Sequence, residues 1–256
     1  MTEIVASKPP EGDLWTGLRQ FTAARIGLAR TGASLATGPL LDFRLAHARA
    51  RDAVLEALDE VRLARELAAL GVPTLSVASV AEDRQSYLMR PDKGRQLAAD
   101  CAAMLSARRG TFDVVFVIAD GLSARAVQAH AAPVLSAAIP ALRTEGWRIA
   151  PLVVVRHGRV AIGDAIAAAL GADSVAVLIG ERPGLSSPDS MGAYLTWRPH
   201  AGTTDADRNC ISNIRPEGFD CGAAALKLVH LLRAMRHGRL SGVALKDDSH
   251  KRLIDR

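Results

Sequence analysis

Ser174-Val175-Ala176-Val177-Leu178-Ile179-Gly180-Glu181-Arg182-Pro183-Gly184 decides how the rest of the chain is read. From Val175 to Gly180 the run carries no charge, as in a strand covered on both faces, and it stops abruptly in an ion pair framed by two glycines. Pro183 disfavours helical geometry at Arg182, so the charged residues fall in a loop at the strand's carboxyl end. In an open α/β sheet, ligands bind outside those ends. The alternative is a plain surface turn with Glu181 and Arg182 solvated.

Outward from this strand, strands and helices alternate. Thr74 to Val80 and Phe112 to Ala119 read as strands, the second followed by Gly121 and a helix from Ser123 that Pro133 should end, or restart toward Leu142. Ile149 to Val155 reads as a strand, Ile162 to Leu170 as a helix and Ala193 to Trp197 as a further strand. A last helix starts at Asp220, a good N-cap, and runs to Gly238. This alternation implies an α/β fold, a doubly wound, mostly parallel sheet of Rossmann-like plan, with an N-terminal helical lobe before it. In that lobe Thr37-Gly38-Pro39 begins a helix in which Leu41, Leu45, Ala48, Leu55, Leu58 and Val61 share a face, ending near Gly71. Leu18 to Leu35, which mixes glycines with arginines, reads as an arm for a partner or as an ordinary loop. The expected domains are a partner-docking lobe over 1–73, an α/β domain over 74–246 and a tail over 247–256. Disorder is expected at Met1 to Gly12 and after Asp247.

Composition narrows the class. Of 256 residues, 49% are hydrophobic but only 4% aromatic, so the core should be close-packed from Ala, Leu and Val. No apolar run approaches the roughly 20 residues that span a bilayer, and Met1 to Asp13 lacks the basic start and apolar middle of a secretion signal. A cytoplasmic protein with no membrane association is expected. Cys101, Cys210 and Cys221 are odd in number and lack C-x-x-C pairing, which argues against a disulfide framework and a zinc site. The net charge of +5 does not form a basic stripe, because the arginines between Arg44 and Arg65 are interleaved with Asp52, Glu56, Asp59 and Glu60. Nucleic acid is therefore not an expected partner.

Catalytic signatures are missing. No G-x-G-x-x-G follows a strand and no phosphate loop is present, while Gly32-Ala33-Ser34-Leu35-Ala36 ends in Ala and precedes the sheet, which disqualifies it as a nucleophile elbow. His230 and His237 are seven apart rather than the four that brings two imidazoles to one metal. No catalytic residue and no metal ligand is assigned. The chain reads as a cofactor platform or subunit.

Four blocks in order carry a family resemblance: Leu41-Asp42-Phe43-Arg44-Leu45-Ala46-His47-Ala48-Arg49-Ala50-Arg51-Asp52-Ala53-Val54, then Asp83 to Arg95, then Val177 to Leu185, then Asn209-Cys210-Ile211-Ser212-Asn213-Ile214-Arg215. Together they closely resemble the small subunit (light chain) of ethanolamine ammonia-lyase, over about Leu18 to Gly242. The resemblance implies a hetero-oligomeric lyase in which a separate large subunit binds ethanolamine and the small subunit embraces adenosylcobalamin at their interface. Homolysis of the cobalt–carbon bond then yields an adenosyl radical, and the substrate rearranges to acetaldehyde and ammonia. It leaves open whether the enzyme is housed in a bacterial microcompartment.

The family's cobalamin contacts carry over to Val160, just after Gly158-Arg159, to Glu181, and to Cys210 before Ile211-Ser212-Asn213. From the residues alone, Val160 reads equally as a core valine, Glu181 as an ion-pair partner of Arg182 or another arginine, and Cys210 as an inert buried thiol. The D-x-H-x-x-G motif that places a histidine on cobalt has its nearest match at Asp248-Ser249-His250, which lacks the glycine. The cofactor's dimethylbenzimidazole is therefore expected to stay on cobalt. The remaining alternative is a non-catalytic α/β nucleotide-binding or scaffold subunit.

Overall fold

The computed structural model describes residues 14–247. The expected disorder of Met1 to Gly12 and of the segment after Asp247 lies outside these residues, as does His250. The elements begin with α1 (Leu14–Arg19), a small hairpin of β1 (Arg30–Thr31) and β2 (Ser34–Leu35), α2 (Thr37–Leu55) and α3 (Glu60–Ala68). Next come β3 (Thr74–Ala78), α4 (Arg84–Met89), α5 (Ala99–Ser106), β4 (Phe112–Ala119), α6 (Ala124–Thr144), β5 (Leu152–Arg156) and α7 (Ile162–Leu170). The series closes with β6 (Ala172–Gly180), β7 (Met191–Trp197), β8 (Arg208–Ile214) and α8 (Cys221–Gly238).

Strands β3 to β8 form one sheet in the order β3-β5-β4-β6-β7-β8, parallel from β3 to β6 and antiparallel from β6 to β8. The two-residue period of a strand explains why both faces are covered. Val114, Phe116 and Ile118 of β4 point into a core shared with α3, α6 and α8, whereas Val115, Val117 and Ala119 point into a second core shared with α5 and α7. Continuous apolar runs are what a strand buried on both sides requires. Helices on both faces of a mostly parallel sheet make this an α/β fold.

Three expectations change. The helix expected from Pro39 to Gly71 is two helices, because Glu56 adopts extended backbone and Asp59 caps α3 by accepting the Arg62 amide at 2.9 Å. The break is held by Glu56, which takes the Arg125 guanidinium of α6 at 2.6 Å, and it turns Leu63 and Leu67 into the core. The shared apolar face is only partly covered by the chain: Leu41, Leu45, Leu55 and Val61 are each more than half exposed, whereas Leu58 packs against the core. Pro133 does not end α6, which runs through it and through Pro140. An interior proline costs about 3 kcal/mol. Beyond it Val134, Leu135, Ile139 and Leu142 are buried, at about 1.5–3 kcal/mol each for a large apolar side chain, so burial outweighs the lost backbone bond. Finally, after residues 198–207 the chain returns antiparallel to β7 as β8, a strand that periodicity does not reveal because only Ile211 and Ile214 supply its buried apolar side chains.

Two features carry this frame to the site. Arg208 at the start of β8 is buried and bidentate to Asp164 of α7, both bonds 2.7 Å, which pins the edge strand under the helix. Gly180 ends β6 where the backbone comes closest to the start of α6: a Cβ there would lie 2.7 Å from the Asp120 carbonyl oxygen and closer still to that of Ser123. Backbone cannot swing aside as a side-chain tip can. Gly180→Ala should therefore destabilise the fold by about 1–3 kcal/mol, the usual range for overpacking, read as a lower midpoint in chemical denaturation.

Candidate functional site

The carboxyl ends of β4, β5 and β6 open into a cleft of about 380 Å³ lined by Tyr87, Leu122, Arg159, Val160, Ile179, Gly180, Glu181, Arg182, Tyr194 and Ser212. It stands where the parallel half of the sheet gives way to the antiparallel half, in line with the general position of ligand sites in open α/β sheets.

Glu181 follows β6 directly, and its amide donates to the Ser190 carbonyl at 2.9 Å, closing the loop that holds Arg182, Pro183 and Gly184. Among the described residues, its carboxylate pairs with no arginine. Oε1 accepts the Ser212 hydroxyl at 2.6 Å, and Oε2 accepts the Asn213 amide at 3.2 Å and the Ser190 hydroxyl. Ser212 and Asn213 belong to β8, so the side chain passes over the intervening β7. It does so at Gly192, where a Cβ would stand 2.9 Å from Oε1. A carboxylate has about four lone-pair sites, and three donors leave room for one more.

Val160 sits on the opposite wall, in the turn between β5 and α7. His157 there takes left-handed backbone (φ 55°), a strained geometry for a non-glycine residue, which reverses the chain at the end of β5. Gly158 is held from both sides: its amide donates to Asp120 at 3.1 Å, and its carbonyl accepts the Tyr87 hydroxyl at 3.1 Å. Arg159 is anchored by its amide to the Gly94 carbonyl at 2.8 Å. The Asp83 to Arg95 block is thus the wall that fixes this turn. Burial raises the pKa of Asp120, while the His157 and Gly158 amides and Arg84 pull it down. Burial likewise raises that of Tyr87, which stays protonated and able to donate.

Cys210 lies one strand further out, paired in register with Tyr194. The structure therefore brings Val160 and Glu181 into one cleft and sets Cys210 beside it, its side chain coupled to Tyr194, which lines the cleft. Cys210 keeps exposed surface as a residue, while its thiol is partly enclosed beside Tyr194. Among the described residues, no group of three or more His, Cys, Asp and Glu side chains is placed to hold a metal ion, and no histidine lines the cleft. No described helix is long and apolar enough to cross a membrane.

Residues 12–246 match the family described as ethanolamine ammonia-lyase light chain (EutC). The chain belongs to that family. It is 50% identical over 245 residues to the ethanolamine ammonia-lyase small subunit of Ralstonia nicotianae, covering 94% of this chain and 91% of that one. The small subunits of Azotobacter vinelandii (49% over 251 residues, 96% and 93% covered) and Pseudomonas syringae pv. tomato (46% over 259 residues, 100% and 90% covered) are similar along their length. Membership implies a lyase role and a large-subunit partner, as the names of these relatives say.

Motif reasoning missed Tyr87, Arg159, Tyr194 and Ser212 as lining residues. A signal was present: the chain has only two tyrosines, and both stand at this cleft. Tyr194 and Cys210 also set a measurable property. Burial pushes the Cys210 thiol up and the Glu181 carboxylate adds to the rise, against the Tyr194 hydroxyl, which lowers it. Alkylation of Cys210, followed by mass spectrometry against pH, should therefore have its midpoint above that of an ordinary cysteine. Glu181→Gln should move the midpoint down, because a thiolate forms more readily once the neighbouring negative charge is gone.

Proposed function

We propose that this chain is the cobalamin-binding subunit of an adenosylcobalamin-dependent ethanolamine ammonia-lyase, active only with its large subunit, which holds most of the ethanolamine site. The observation that carries the reading is the convergence of Val160 and Glu181 on one cleft, with Cys210 alongside. A corrin is fringed with amide side chains that both donate and accept. Glu181 offers an acceptor, Ser212 and Tyr194 offer hydroxyls, and the Val160 turn offers backbone groups held rigid by Asp120 and Tyr87. That donor and acceptor set fits the group.

A cleft of about 380 Å³ is far too small to enclose a corrin, so the chain takes one part of the cofactor and the partner must cover the rest. When bound, the cofactor supplies the radical through homolysis of its cobalt–carbon bond. The chain's own work is to bind, orient and keep water away. Residues 1–73 fit the role of docking lobe, since α2 and the start of α3 leave Leu41, Leu45, Leu55 and Val61 uncovered. Residues 74–246 form the cofactor platform, and 247–256 the tail.

Glu181→Ala, made in the complex with the large subunit, tests the reading by absorbance titration with cobalamin. Affinity should fall about tenfold, and the melting temperature should fall as well, because the ligand contact is lost together with the three hydrogen bonds that tie Ser190, Ser212 and Asn213 to the end of β6. Equal affinity in variant and parent would overturn it. The axial ligand gives a second expectation. With no histidine lining the cleft, labelling histidine nitrogen should leave the electron paramagnetic resonance hyperfine pattern of bound cob(II)alamin unchanged, and labelling the dimethylbenzimidazole nitrogen should alter it.

A further inference from the structure

Arg159 is a cation without an anion. Its guanidinium stacks over the Tyr87 ring, 4.2 Å from the centroid, and Nη2 donates to the Tyr87 carbonyl at 3.3 Å. Its Nε is buried and meets no acceptor, and no carboxylate pairs with the group among the described residues. Gly94 makes this seat possible, since a Cβ there would come within 2.8 Å of the Arg159 stem. A guanidinium does not shed its charge, and one held this way keeps an unspent fork of donors in partly dry surroundings. The second arginine of the cleft, Arg182, is exposed and is likewise unpaired among the described residues. The one carboxylate lining the same cleft, Glu181, is engaged by Ser190, Ser212 and Asn213 instead.

We propose that Arg159, with Arg182, forms a receptor for a phosphate diester in this cleft, and that the ligand group is the phosphodiester of the cofactor's nucleotide tail. The assignment rests on the reading of the chain as a cobalamin-binding subunit, and it goes beyond the contacts of Val160, Glu181 and Cys210. The corrin's amides are neutral and need no cation, whereas the phosphodiester is the one anionic side group of the cofactor. A planar fork matches its two free oxygens, and the charge-assisted bonds gain strength where water is excluded. Glu181 and the arginines then divide the labour within one cleft: the carboxylate takes amide donors and the guanidiniums take the anion.

The experiment uses the complex with the large subunit and two probes, cyanocobalamin and an analogue in which a neutral linker replaces the phosphodiester. Arg159→Met keeps the stem on Tyr87 and removes the charge, and Arg182→Ala alters an exposed side chain that folding does not need. Each variant should weaken cyanocobalamin, Arg159→Met by about tenfold, and leave the affinity for the neutral analogue at the parent value. Arg159→Lys should recover part of the loss. If both probes weaken equally, the arginines meet a carboxylate of the large subunit or serve the fold, and the proposal is overturned. It is overturned too if neither probe weakens. Glu181→Ala separates the two levels. If it weakens both probes while the arginine variants do not discriminate, the phosphate receptor fails alone; if the parent complex binds neither probe, the cobalamin reading fails and the receptor with it.

Discussion

Glu181 reaches over a strand to which it does not belong, and the shape of the site depends on that reach. Without it, β6 would end in a free charged loop, and β8 would keep the β7 ladder and the Arg208 bond to Asp164 of α7 but lose its tie at the site. With it, the carboxylate gathers a hydroxyl from the loop, a hydroxyl from β8 and a β8 amide. Hydrogen bonds to a charged group are each worth about 1.5–3 kcal/mol net, more than a neutral bond, so the crossing is a substantial local tie. It requires two absences. Gly192 must lack a side chain to let the carboxylate pass, and Gly180 must lack one to let β6 meet the start of α6.

The opposite wall is built by different means. There the chain uses a strained turn at His157, Gly158 held between Asp120 and Tyr87, and guanidiniums laid against an aromatic ring, with Arg84 4.9 Å and Arg159 4.2 Å from the Tyr87 centroid. Left-handed backbone at a non-glycine residue persists only where the surroundings over-determine it. Both walls are therefore rigid before any ligand arrives, which lowers the ordering cost of binding.

Much of this was legible in the residues, and the physical reasons differ element by element. The β6 run and α7 stand where the pattern puts them, because an uninterrupted apolar stretch and a short helix bounded by glycine leave few alternatives. Asp220 caps α8 through the Gly222 and Ala223 amides, as its side chain suggests. The break at Glu56 escaped notice because it is stabilised by Arg125, 69 residues away. Pro133 misled because local propensity is a weak term against a helix buried along its length. At the site, the blocks around Glu181 and Asn209–Arg215 were singled out separately. Their meeting through Ser212 is a tertiary fact, as is the docking of Arg159 on Tyr87, 72 positions earlier.

The open face of α2 bears on the life of the chain before assembly. Leu41 and Leu45 are one turn apart and more than half exposed, and Leu55 at the helix end is 60% exposed. Apolar surface left in water is a standing drive toward self-association, and it grows with concentration. Under the docking role proposed for α2, a surplus of this chain over its partner is a solubility burden, and balanced synthesis of the two follows as a physical requirement.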